Sequence, residues 1–140
     1  MEQADKELLL KDLCARLPYG IKVNEDIQGD FTLIGLTKER AFTTCEVEGK
    51  FNDFPIELIK PYLFPLSSMT ETQQEEFDRI YADDMQVVAC NLKNKLDGKP
   101  YETNFGHYRH IDWLNKNHFD YRGLIEKSLA LDATNLGIYE

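Results

Sequence analysis

Three histidines, His107, His110 and His118, crowd into one stretch of the chain together with Asp112 and Asp120. Imidazoles and carboxylates are ligand types for zinc or iron. With Asn115 and Asn117 the same side chains would suit a metal-dependent nuclease or other hydrolase. The spacing is weakly specific, no second ligand pair elsewhere completes it, and no clear hairpin frames it. The plainer reading has the imidazoles capping helices or bonding Asp112 and Asp120 around a structured corner. No catalytic residue, metal or cofactor is assigned. Gly-rich phosphate loops, Gly-x-Ser-x-Gly elbows and Cys-x-x-Cys pairs are absent from the sequence, so the usual nucleotide, hydrolase and redox signatures fail.

A second group of residues offers recognition instead of reaction. Glu71, Glu75, Glu76, Asp78, Asp83 and Asp84 stand against the single base Arg79 between residues 71 and 90. Acids early in a helix favour its N-terminus and usually form a solvated face. The sharper reading is a nucleic-acid mimic that enters a basic cleft. Trp113, Phe119, Tyr121 and Arg122 cluster further on; aromatics and arginine are what interface hot spots use, while a lone Trp between short helices is commonly core. The candidate protein interface is thus Glu75, Glu76, Asp78, Asp83, Asp84, Trp113, Phe119, Tyr121 and Arg122.

Composition bounds these readings. The 140 residues are 42% hydrophobic and 29% charged, with seven Tyr and eight Phe, which suits one folded domain that needs no disulfide or metal. A formal charge of −9 opposes the field that collects phosphate backbones, so nucleic acid is a disfavoured partner; a basic protein surface is a permitted one. Cys14, Cys45 and Cys90 read as reduced core residues. The start Met-Glu-Gln-Ala-Asp-Lys-Glu has no signal-peptide pattern and no window reaches membrane-spanning length, so the expected address is the cytoplasm, with no membrane partner.

The elements that must carry these residues follow from periodicity. Asp5 is the expected N-cap of a helix with Leu9, Leu10, Leu13, Cys14 and Leu17 on one face, and with Glu7/Lys11 and Asp12/Arg16 as ion pairs on the others. Pro18 and Gly20 end it. Residues 21–23, 31–34, 41–47 and 56–59 alternate or are β-branched, separated by turn residues, which predicts four strands in a curled antiparallel meander, an SH3-like barrel being one form of it. The first helix would cover this sheet. Pro61 and Pro65 should close the β region, since neither can donate to a central ladder.

Ser68-x-x-Glu71 and Thr70-x-x-Gln73 are overlapping capping boxes for a second helix. It should run on through Leu96, the alternative being a break at residues 82–84 and a strand over 85–90. Gly98-Lys-Pro100 is the stop. Residues 101–109 read as a loop, 111–117 as a short helix, and Asp120 as the cap of a last helix through Leu131 with Ile125 and Leu129 inward. The whole is an α+β domain, residues 1–66 giving the helix and sheet and residues 67–140 a mainly helical half.

Lys6-Glu-Leu-Leu-Leu-Lys-Asp-Leu-Cys-Ala-Arg-Leu-Pro-Tyr-Gly20, the run from Ile59 to Thr70 and the block from Ile111 to Asp132 together resemble a family of small uncharacterised proteins of gut anaerobes, their phages and other mobile elements. Ser128 stands where that pattern calls for glycine, which argues against a left-handed turn there. The resemblance implies a cytoplasmic accessory protein of a phage or mobile element. It brings no activity with it. The expected function is therefore non-enzymatic protein binding, with inhibition of a host nucleic-acid enzyme or defence nuclease as its sharpest form. A small-barrel nucleic-acid binder is second. A metal-dependent hydrolase using His107, His110 and His118 is third.

Overall fold

The computed structural model describes residues 1–45, 49–98 and 108–140. Residues 46–48, expected in the third strand and its turn, and residues 99–107, which include Lys99, Pro100, His107 and most of the expected aromatic loop, lie outside the described residues. The architecture is α+β, in two compact units: residues Met1–Ser68 with Asn115–Glu140, and residues Met69–Leu114.

In the first unit, helix α1 (Gln3–Arg16) lays Leu9 and Leu13, both fully buried, on the sheet. The helix begins earlier than its sequence suggests. Glu2 holds the cap position and Asp5 lies inside the first turn, where its charge still favours the positive end of the helix dipole. Residues Leu17–Tyr19 then tighten into a single turn and Gly20 reverses the chain at φ +68°, a left-handed conformation that glycine adopts without steric cost.

Strands β1 (Lys22–Glu25), β2 (Gly29–Leu36), β3 (Arg40–Cys45) and β4 (Lys50–Pro55) form the antiparallel meander. Strand β5 (Ile59–Pro65) returns antiparallel beside β1, with Val23 opposite Pro61. Two short strands from the end of the chain, β6 (Phe119–Asp120) and β7 (Leu131–Asp132), pair with β5 in parallel. The order β4-β3-β2-β1-β5-β6 does not return to β4. The sheet is therefore mixed and open, curled by a register shift between Leu33 and Gly35, and it does not close as an SH3-like barrel.

Three local expectations are corrected. The fourth strand is residues 50–55, and residues 56–58 form a 3-10 turn. Asn52 and Asp53 blunt the apolar alternation of that strand, and only Phe54 turns fully inward. Pro61 and Pro65 lie within a strand instead of ending the sheet. The Phe64 amide donates to His118 O at 2.8 Å on the β6 side, so alternation puts both proline nitrogens on the opposite edge. That edge is also the one away from β1: Ile21 O accepts from Leu33 N on the β2 side, so Asn24 and its partner Lys60 bond toward each other, and β1 demands no donor from either proline.

The last helix expected from Asp120 is not formed; turns fill the segment between β6 and β7. Asp120 does accept bonds from the Leu124 and Ile125 amides at 3.0 and 2.9 Å, as a cap would. Gly123 (φ +76°) and Ser128 (φ +60°) then adopt left-handed backbone, which a helix cannot contain. Leu129 is buried and Ile125 packs against the core from the turns. Ser128 thus takes the very conformation that its side chain disfavours.

In the second unit, helix α2 (Glu71–Leu96) starts on a complete capping box between Thr70 and Gln73. It continues unbroken through residues 85–90, so no strand forms there. Asp97 caps it and Gly98 follows at φ +69°. Helix α3 (Arg109–Lys116) begins two residues before the expected start.

Cys14 and Cys90 are exposed and Cys45 is half-buried, none of them in a disulfide. The first two are not core residues as the apolar pattern implied: Cys14 is one position past Leu13, roughly 100° around the helix from the buried stripe. Among the described residues no helix is long and apolar enough to cross a membrane.

Candidate functional site

Helix α2 is the element that presents charge. Because its capping box fixes the first turn, the acids that follow are displayed from a regular helix instead of a loop. Glu75, Glu76, Asp78 and Asp83 are exposed. Among the described residues Glu75 and Glu76 have no cationic partner. Asp78 accepts a bond from the exposed Gln74 at 2.8 Å, and Asp83 lies 3.5 Å from the Arg109 guanidinium, also exposed. A pair so solvated contributes little.

Asp84 differs from these four. It is buried, and one carboxylate oxygen accepts both the His110 backbone amide at 2.8 Å and faces its Nδ1 at 2.5 Å. Arg109 Nε lies 3.5 Å from the other oxygen. Burial pushes the Asp84 pKa up, but the His110 hydrogen bonds and charge, with help from Arg109, outweigh it and hold the carboxyl below its ordinary range. This carboxylate is a clamp between α2 and the start of α3, and its oxygens are spent inside the unit.

The His110 ring sits among aromatic edges. Phe77, Tyr81 and Tyr108 approach it at 6.1, 5.1 and 5.7 Å between centroids, each near perpendicular. Trp113 packs on Phe77 at 5.7 Å and is 9% exposed. It is a core residue of the second unit. Phe119, Tyr121 and Arg122 belong to the first unit.

Around Phe119, Tyr121 and Arg122 the structure builds a buried charge network that the sequence concealed. Asp12 and Arg16, expected on an outer helix face, are both fully buried. Asp12 accepts from Arg16 Nε at 2.9 Å and from Arg122 Nη1 at 2.8 Å. Arg16 Nη2 donates to the Phe119 carbonyl at 2.6 Å, and its guanidinium carbon lies 5.4 Å from the Tyr121 ring centroid, with that of Arg122 at 4.5 Å. Tyr121 in turn donates to Asn115 at 2.9 Å. One carboxylate bridges two guanidiniums and compensates one of their two charges. It pins residue 12 to residue 122 and, chemically, has no free base to offer.

His118 closes this region. Its ring stacks on Tyr139 at 3.8 Å, its backbone is left-handed at φ +62°, and burial first and the neighbouring Arg16 charge second push its pKa down to about 4. Nδ1 of His118 and Nη1 of Arg16 are buried without a partner among the described residues. Tyr139 donates to Tyr62 O at 2.7 Å and accepts from the Lys22 amide at 3.1 Å, and burial raises its phenol well above the ordinary value.

His110 and His118 are thus each committed within a different unit, and His107 lies outside the described residues. Among the described residues no three His, Cys, Asp or Glu side chains are grouped to hold a metal ion. What remains outward-facing is the acidic helix. Comparisons with protein-family models, curated proteins and solved structures return no match for this chain.

Proposed function

We propose that the chain is a non-catalytic cytoplasmic accessory protein that acts by binding another protein. Its sharpest form is an inhibitor, encoded by a phage or mobile element, of a host nucleic-acid enzyme or defence nuclease. The observation that carries the reading is the exposure of Glu75, Glu76, Asp78 and Asp83 on one capped helix. Carboxylates on a preorganised helix meet a basic cleft without paying to order a loop, and complementary potential accelerates encounter while excluding acidic partners. The mobile-element setting rests on the resemblance of the three sequence blocks alone. Asp84, Trp113 and Phe119 are buried and drop out of the contact surface; Tyr121 and Arg122 are half-buried and engaged with Arg16 and Asp12.

The test is affinity capture of the tagged protein from a gut anaerobe, beside a variant with Glu75, Glu76, Asp78 and Asp83 all changed to Lys. Capture of one protein at near-equal stoichiometry, lost in the variant and weakened by added salt, is the expected result. Salt-sensitive retention of DNA or RNA by wild type, with no protein captured, would overturn it in favour of the nucleic-acid binder.

A further inference from the structure

Along α2 a second surface lies beside the acids. Tyr81, Met85, Val88 and Leu92 follow one another at steps of four, three and four residues, the spacing of a coiled-coil seam. Tyr81 is 46% and Leu92 59% exposed, and Met85 and Val88 are half-buried. The same spacing continues to Asp78 before the apolar residues and to Lys95 after them. A seam of this kind, partly open to water and ended by opposite charges, suits a partner helix with the reverse order of charge.

We propose that α2 pairs antiparallel with α2 of a second copy of this chain. About a two-fold axis between residues 86 and 87, Met85 faces Val88 of the other copy, Tyr81 faces Leu92, and Asp78 faces Lys95. Each contact occurs twice, as an isologous interface requires. A parallel pair would instead set Asp78 against Asp78 and Lys95 against Lys95, which like-charge repulsion disfavours. Among the described residues Lys95 has no carboxylate partner, so its charge is available for the contact. Ala82 and Ala89 flank the seam, both exposed, and their small side chains let the two backbones approach. From Asp78 to Lys95 the seam is about 26 Å long at 1.5 Å per residue. The inference goes beyond the acidic-face reading and does not rest on it: Glu76 and Asp83 lie on the side of the helix away from the seam, and Glu75, in line with Ala82 and Ala89, precedes it.

Sedimentation velocity of the full chain from about 1 μM to about 1 mM, the range suited to a single helix pair, tests this. Wild type is expected to pass from one copy to two. Leu92→Glu should remain monomeric, and at about 1 μM, where wild type is also one copy, its helix content and thermal midpoint should match wild type, since residue 92 is largely exposed. Asp78→Lys and Lys95→Asp should each weaken association at least tenfold. The two together should restore it to within about threefold of wild type, because the swapped charges still meet. A wild type that stays monomeric throughout, association indifferent to Leu92→Glu, or a double variant no tighter than the singles overturns the proposal.

Discussion

At the scale of single residues, the decisive groups are charges that water does not reach. Asp12 bridges two guanidiniums, and Arg16 beside it is fully buried. Removing one member of such a set leaves the others desolvated and uncompensated, which costs far more than the set contributes when intact. Asp12→Ala should therefore lower unfolding free energy by about 3–5 kcal/mol, measured by urea titration, whereas Lys11→Ala on the exposed face should change it by less than about 0.5 kcal/mol. Equal effects would show that the network is solvated. His118 makes a different prediction. Its pKa falls from 6.5 in the unfolded chain to about 4 in the folded one, so between those values the unfolded state binds the extra proton. The contribution to stability is complete above pH 6.5 and is lost as pH falls to about 4, by up to about 3 kcal/mol. His118→Asn keeps a residue that tolerates left-handed backbone and should flatten stability over that window. An unchanged slope would assign it to other groups. Asp84, whose carboxyl is held below its ordinary value, contributes above the unfolded carboxylate pKa and loses that contribution only at lower pH, so the two windows are separable.

At the scale of elements, what was legible had local chemistry to announce it. The capping box at Thr70 and Gln73, the Leu9/Leu13 stripe and the Pro18–Gly20 stop each act within a few residues. Thr70→Ala should accordingly cost about 0.5–2 kcal/mol, read as a lower thermal midpoint together with loss of protection of the first-turn amides of α2. The illegible elements were those decided by distant residues. Strand β5 tolerates two prolines because its alternate residues carry the bonds toward β1 and β6, a disposition fixed by strands distant in sequence. Residues 124–129 carry helical spacing, yet the Leu124 and Ile125 amides are held by Asp120 and the chain turns at Gly123 and Ser128. Asp12 and Arg16 showed only the spacing of a surface pair, since nothing near them in sequence reveals that Arg122 and the Phe119 carbonyl will cover them. The candidate site was legible in the same measure: the exposed acids were announced by local charge, and the burial of Asp84, Trp113 and Phe119 was not. Ser128→Gly tests the turn. Relief of left-handed strain at φ +60° should stabilise the protein by about 0.5–1 kcal/mol, and a loss of stability would mean that the serine side chain holds the turn.

At the scale of the whole molecule, the question is whether recognition follows from total charge or from its placement. The net charge of −9 acts at long range and is screened over about 8–10 Å at ordinary ionic strength, so it sets encounter with any basic surface. The α2 acids are a local feature, fixed relative to one another by the helix. Changing Glu75, Glu76, Asp78 and Asp83 to Lys adds two charges at each position and moves the formal total from −9 to −1. Changing Glu2, Glu7, Asp26 and Glu126, four exposed acids of the first unit, moves it by the same amount. If placement governs, only the α2 variant loses the captured protein, while the control binds more slowly with an almost unchanged dissociation rate, as expected for a charge that steers but does not touch. If both variants lose it equally, the chain is a diffuse polyanion to its partner and the helix has no privileged role. Surface plasmon resonance on the captured partner at two salt concentrations separates these outcomes: steering appears in the association rate and is suppressed by salt, and direct contact appears in the dissociation rate.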